Sequence, residues 1–163
     1  MKNTYTHEEI KQLVDGKLPR QDVHRMLSNF KDTDRFDKYL KVLQEKVSWK
    51  EKILLPLALH LFIVQQGAGE RTVKCRCGHD FGDYRKNWKL KANINVRNTV
   101  ESLREIYPHM MHCDPDWMEI REFFCPGCLT LLETEAVPPG YPVVFDFLPD
   151  LETFYTKWLG RKI

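Results

Sequence analysis

No stretch of the chain stays apolar for long enough to cross a bilayer. The longest such run, Ile53 to Val64, is twelve residues broken by Pro56 and His60, against the roughly 20 that a spanning helix needs. It reads as buried core, and no membrane association is expected. The first residues show neither the apolar h-region of a secretory signal nor the basic, acid-poor composition of a transit peptide, so the expected location is cytoplasmic. An excess of charge of one sign is also missing. Twenty-five Lys and Arg stand against 23 Asp and Glu, a formal net charge of +2, which argues against a strongly basic nucleic-acid binder. The phosphate-cradling G-x-x-x-x-G-K-[ST] loop is absent, as are G-x-S-x-G and H-E-x-x-H. Gly67-Ala68-Gly69 leads into Glu70 with no helix signal, so nucleotide chemistry by this chain alone has no support. Internal repeats and low-complexity tracts are lacking too.

What remains is 163 residues, 42% hydrophobic and 12% aromatic, enough for one globular domain or two small ones. That is small for an enzyme enclosing two substrates, and the chain is expected to work with others. Thr6-His7-Glu8-Glu9 fits a capping box, with Ile10, Leu13 and Val14 on one helical face. Pro19 suits a first helical turn, and Val23, Met26, Leu27 and Phe30 continue as an amphipathic helix. Phe36, Leu40, Leu43 and Val47 predict a third. Leu57 to Gln66 reads as one buried strand, Arg71 to Cys77 as another, and Asn93 to Val96 as β-prone. A short helix is expected over Thr99 to Tyr107, ended by Pro108. Trp117–Cys125 and Thr130–Val137 predict strands around a tight turn, Val143–Phe147 a further strand, and Asp150 a cap for a last helix through Leu151, Phe154, Trp158 and Leu159. The fold class is α+β: N-terminal helices, an antiparallel β region in which the clusters Cys75-Arg-Cys77-Gly-His79 and Cys125-Pro-Gly-Cys128 are expected to act as a zinc staple, and a C-terminal helix. The expected division is an N-terminal helical region with a core segment over 1–66, and a zinc-binding β-rich domain with the C-terminal helix over 67–163.

Charge is less even than its sum. Residues 71–97 hold eight Lys or Arg against two Asp, while 129–156 hold five Asp or Glu and no Lys or Arg. Within the basic stretch, Arg85-Lys-Asn-Trp88-Lys-Leu-Lys91 with Phe81 and Tyr84 mixes cations and aromatics as single-strand binders do. A solvated face, or a dock for an acidic partner, is the plainer reading.

The cysteines carry the chemistry. Cys75-Arg-Cys77-Gly-His79 and Cys125-Pro-Gly-Cys128 are compact clusters, and in a reducing compartment they suit metal ligation better than disulfides. Zinc takes four ligands tetrahedrally from two short segments that a fold brings together. Alternation along a strand turns Cys75 and Cys77 the same way, and His79 is third in that register. Cys75, Cys77, Cys125 and Cys128 are the leading ligand set. The C-x-C spacing is shorter than usual, so His79 is an alternative to Cys75 or Cys77. Four thiolates leave no open position for water, which favours a structural over a catalytic zinc. Lys74, Arg76 and Arg121 are placed in sequence to offset the charge of such a site. Cys113 lies in His109-Met-Met-His112-Cys113, a soft-ligand cluster open to reading as a copper site, an activated thiol or an ordinary loop.

The segments Cys75-Arg-Cys-Gly-His-Asp-Phe-Gly-Asp-Tyr-Arg-Lys-Asn-Trp-Lys89, Arg104-Glu-Ile-Tyr-Pro108, Arg121-Glu-Phe-Phe-Cys-Pro-Gly-Cys128 and Val137-Pro-Pro-Gly-Tyr-Pro-Val-Val-Phe-Asp-Phe147, in that order, resemble the gamma, or small, subunit of acetone carboxylase. The match covers roughly residues 70 to 160. The resemblance implies a bacterial, three-subunit, ATP-dependent ligase of ketone metabolism that carboxylates acetone with bicarbonate to acetoacetate. It implies two larger partner subunits, with two copies of each of the three, that carry ATP, Mg2+ and Mn2+. Zn2+ is the cofactor expected in this chain, which would be a non-catalytic structural subunit. Neither nucleic acid nor membrane is an expected partner. A zinc-ribbon nucleic-acid binder and a stand-alone zinc enzyme are the rival readings, and the related acetophenone carboxylase leaves the ketone open.

Overall fold

Helix α1 (His7–Val14) begins on the expected capping box: Glu9 N donates to Thr6 Oγ1 at 3.2 Å, and Thr6 N donates to Glu9 Oε2 at 2.7 Å. The computed structural model describes residues 4–29, 32–67, 69–108 and 111–163. Expectations that touch the N-terminal tripeptide, Phe30, Ala68, His109 or Met110 lie outside the described residues. Helix α2 (Arg20–Ser28) follows Pro19, and α3 (Arg35–Glu45) stops before Val47. Tyr5, Ile10, Met26 and Val42 form the core of this helical layer.

The apolar run after α3 is a hairpin rather than the single strand expected. Strand β1 (Lys52–Ala58) turns at Leu59-His60 into β2 (Leu61–Gln65). Pro56 is tolerated because β1 is an edge strand and its register is irregular between Pro56 and Ala58. The sheet continues through β3 (Arg71–Cys75) to β4 (Asp80–Asp83) in the antiparallel order β1-β2-β3-β4. Leu61, Phe62, Ile63 and Val64 of β2 are all buried. Phe62 and Val64 face α3 beside Leu43 and Ile53, while Ile63 packs with Leu54 and Leu151. A strand covered on both faces loses its alternation, which is why the sequence there reads as continuous apolar core.

A 3-10 turn (Trp88–Lys91) leads to the second sheet, β5 (Asn93–Arg97), β6 (Glu119–Phe124) and β7 (Leu131–Val137), with order β5-β6-β7 and the short helix α4 (Val100–Arg104) between β5 and β6. The sheets meet over one core of Leu61, Val73, Phe81, Trp88 and Phe123 that also includes Cys75 and Cys125. Its rings interlock edge to face, Phe81 to Trp88 at 5.7 Å and Trp88 to Phe123 at 6.2 Å between centroids.

Residues 143–147 form no strand. Side chains hold the segment instead: Asn87 Nδ2 donates to Val143 O at 3.1 Å, Arg121 Nη2 donates to Tyr141 O at 2.6 Å, and Lys89 pairs with Asp146. Asp150 caps α5 (Leu151–Thr153), which runs on as a π-helical turn over Phe154–Trp158. Tyr155 Oη donates to Leu54 O at 2.8 Å in the interior, tying the C-terminal helix to β1.

Candidate metal centre

Two turns converge at the junction of the sheets. The first follows β3, where Gly78 N donates to Cys75 O at 2.8 Å and Cys75 N to His79 O at 2.8 Å. The second follows β6, where Leu129 N donates to Cys125 O at 2.8 Å and Cys125 N to Thr130 O at 3.0 Å. Cys75 and Cys125 are buried, Cys77 and Cys128 exposed.

The four sulfurs lie within 4.8 Å of one another, Cys75 Sγ to Cys128 Sγ at 3.9 Å and Cys77 Sγ to Cys125 Sγ at 3.7 Å. Thiolates about 2.3 Å from a shared tetrahedral ion are separated by about 3.8 Å. The donor set therefore fits zinc. Main-chain amides support it: Cys77 N–H reaches the Cys75 sulfur, and Gly127 and Cys128 N–H reach that of Cys125. Burial pushes the Cys75 and Cys125 thiols up against the help of those amides. The Thr130 hydroxyl, 3.2 Å from Cys128 Sγ, brings that thiol down to about 6. A divalent cation overcomes the cost of two buried thiolates by deprotonating them outright.

Several expectations change in detail. Strand β3 ends at Cys75, so Cys77 reaches the cluster from a turn rather than by strand alternation. His79 is not in the sulfur cluster; its ring packs edge-on against Phe81 at 4.9 Å. Lys74 and Arg121 do not serve as counter-charges. Alternation turns Lys74 away from Cys75 to Glu51 and the Trp49 ring, and Arg121 is held by Glu119 and Tyr141 O. Arg76 stays beside the cluster, its Nε donating to Lys46 O at 3.4 Å. Cys113 stands apart from the four, its thiol 3.5 Å from Met118 O. Phe81 and Trp88, which a single-strand binder would need as stacking platforms, are core residues.

Two supporting residues escaped the sequence reading. Trp49 Nε1 donates to Arg76 O at 3.2 Å and its ring edge lies against Gly78. Nothing in the sequence connects a tryptophan 26 positions upstream with the Cys75 turn. Thr130 had a local signal, a hydroxyl two residues past Cys128.

Among the described residues, a second group close enough to share an ion is Glu133, Glu135 and Asp146. A cation of the protein already fills it. The Lys89 ammonium, buried over the Phe123 ring, lies 2.6 Å from Glu133 Oε1 and pairs with Glu135 and Asp146.

Residues 47–159 match the sequence model of the acetone carboxylase gamma subunit. The chain is 52% identical to the acetone carboxylase gamma subunit of Xanthobacter autotrophicus over 160 residues, 98% of this chain and 95% of that one. It is 45% identical to the acetophenone carboxylase beta subunit of Aromatoleum aromaticum over 83 residues, half of this chain and 64% of that protein. A family match over residues 47–159 together with 52% identity over nearly the whole of both chains shows that the chain belongs to the acetone carboxylase gamma subunit family.

Proposed function

We propose that this protein is the zinc-binding, non-catalytic subunit of an ATP-dependent acetone carboxylase, a cytoplasmic complex that joins acetone and bicarbonate into acetoacetate. Cys75, Cys77, Cys125 and Cys128 hold the Zn2+. ATP, Mg2+ and Mn2+ belong to two larger subunits, with two copies of each of the three chains in the assembly. Within this chain the boundary near residue 66 separates the helical layer and its core segment from the zinc-binding β-rich part.

The observation that carries the reading is the closed four-sulfur cluster in a member of this family. Thiolates alone saturate a tetrahedral ion, so the site serves to cross-link. Bound zinc joins the end of β3 to the end of β6 and thereby locks one sheet to the other. The chemistry then lies in the larger chains, consistent with the absence from this sequence of a nucleotide loop or nucleophile motif.

Native co-purification with metal analysis tests it. The expected result is two larger partners and about one zinc per chain. A metal-free, monodisperse monomer overturns the reading, and so does an isolated chain that carboxylates acetone with ATP.

A further inference from the structure

Away from the metal centre, three helices surround an open groove of about 820 Å3. Ile10 and Leu13 of α1, Phe36 and Tyr39 of α3, and Phe154 and Trp158 of the C-terminal helix line it. Phe36 and Phe154 pack edge to face at 5.1 Å, and Phe154 meets Trp158 at 5.8 Å. Trp158 is nevertheless 77% exposed. The π-helical turn over Phe154–Trp158 places this indole at the groove, and such turns recur at functional positions. Three helices with an apolar channel between them leave the place of a fourth, the geometry by which an amphipathic helix lays its apolar face into a groove.

Charge says what the fourth helix carries. Arg35 lines the groove, and among the described residues its guanidinium has neither ion pair nor hydrogen bond. Carboxylates close to it in sequence are held elsewhere: Asp34 by Lys38, Asp37 by Arg161, and Asp32 through Oδ2 by Lys38 and the Tyr5 amide, its Oδ1 being buried without a hydrogen-bond partner. Asp32 is closed off as well, its side chain only 3% exposed. An apolar channel with an uncompensated guanidinium fits an apolar segment bearing a carboxylate.

We infer that this groove docks an amphipathic helix of a larger carboxylase subunit, its apolar side chains filling the channel and an acidic side chain pairing with Arg35. The inference rests on the proposed function, which supplies the partner. Fourth-helix geometry favours a helix over a small apolar acid, and a second copy of this chain fits less well because the carboxylates of its own helices are engaged: Glu8 by Gln12, Glu9 by Arg25, Asp37 by Arg161, Glu45 by His7 and Glu152 by Arg71.

The test co-expresses the full chain with both larger subunits and measures the amount retained on a tagged larger subunit. The variants are Arg35→Glu, Arg35→Lys, Trp158→Ala and Arg104→Glu, the last an exposed arginine on α4. Arg35→Glu and Trp158→Ala are each expected to weaken retention about tenfold or more, with zinc content and circular dichroism unchanged. Arg35→Lys keeps most of it, and Arg104→Glu matches the parent. Equal retention of all variants overturns the inference while leaving the proposed function standing. Loss by Arg104→Glu equal to that by Arg35→Glu overturns it as well, since net charge alone would then govern. Failure of the parent chain to be retained strikes the proposed function itself. A dimer of the isolated chain that Arg35→Glu dissociates makes a second copy the occupant and overturns the inference.

Discussion

Gly127 makes room for His79: a methyl group in its place would stand 3.0 Å from His79 Cβ and 3.5 Å from Cys77 Sγ. His79 has little freedom to withdraw, because its ring is seated against Phe81. The closeness of the two cysteine turns thus depends on a missing side chain.

Gly127→Ala should force the turns apart and cost about 1–3 kcal/mol, the usual penalty of overpacking. Thermal unfolding of the metal-loaded protein reads the loss. Faster transfer of zinc to a chromogenic chelator should accompany it. Unchanged stability and transfer would show that the turns are not in contact.

Replacing Cys125 by Ser removes a buried sulfur at the centre of the cluster. Zinc should fall well below one equivalent, and amide exchange should rise at the ends of β3 and β6 together. Cys113→Ser, at a thiol outside the cluster, should leave both measurements as they were. A chelator added to the parent protein should reproduce the Cys125→Ser exchange pattern.

Lys89→Met leaves Glu133, Glu135 and Asp146 facing one another without their cation. Breaking a buried ion cluster in this way costs about 3–5 kcal/mol near neutral pH. In the parent, burial opposes the charged Lys89 but Asp146, Glu133 and Glu135 prevail, so its pKa is raised. That contribution is fully present below the unfolded lysine pKa and is lost only as pH climbs through the raised value. In the variant the controlling groups are carboxylates. Burial already raises Glu133 despite Lys89, and like charges without a counter-ion raise it further. Groups with raised acid pKa values stabilise the fold when protonated, so the variant should regain stability as pH falls from neutral toward the carboxylate range. Denaturant titrations at pH 7 and pH 5 check the sign, and a deficit that grows on acidification would contradict it.

Tyr155→Phe leaves the Leu54 carbonyl without its buried donor. A loss of about 1–3 kcal/mol is expected. Hydrogen exchange should locate the effect in residues 151–158 and the β1 end of the first sheet, with the metal content unaltered.

The parts of the fold that were legible in the sequence are those set by local chemistry. Thr6 and Glu9 fix the start of α1, Asp150 that of α5, and the chelating spacing of Cys125 and Cys128 singles out their turn. What depended on distant partners was not. The Leu59-His60 turn carries no glycine, asparagine or aspartate, so two strands read as one. Asp80-Phe-Gly-Asp83 is too short and polar to announce β4, which exists because β3 offers it an edge. Val143–Phe147 has the composition of a strand, yet Asn87 and Lys89 reach it with side chains and no ladder forms. Lys74 was read by its nearness to Cys75 in sequence, although neighbours along a strand face opposite ways.

Strand β3 is pinned at both ends by residues far along the chain. Cys75 meets Cys125 and Cys128, while Arg71 Nη2 donates to Glu152 Oε1 at 2.7 Å. Four rises of about 3.3 Å separate those anchors, so β3 acts as a ruler of about 13 Å between the cysteine cluster and the C-terminal helix. Its divisions are discrete. Removing one residue between Arg71 and Cys75 would shorten the ruler by a single mark and also turn one anchor to the wrong side of the sheet. The distance from metal centre to C-terminal helix is therefore not adjustable by small insertions or deletions, and variation in length has to fall in the turns on either side.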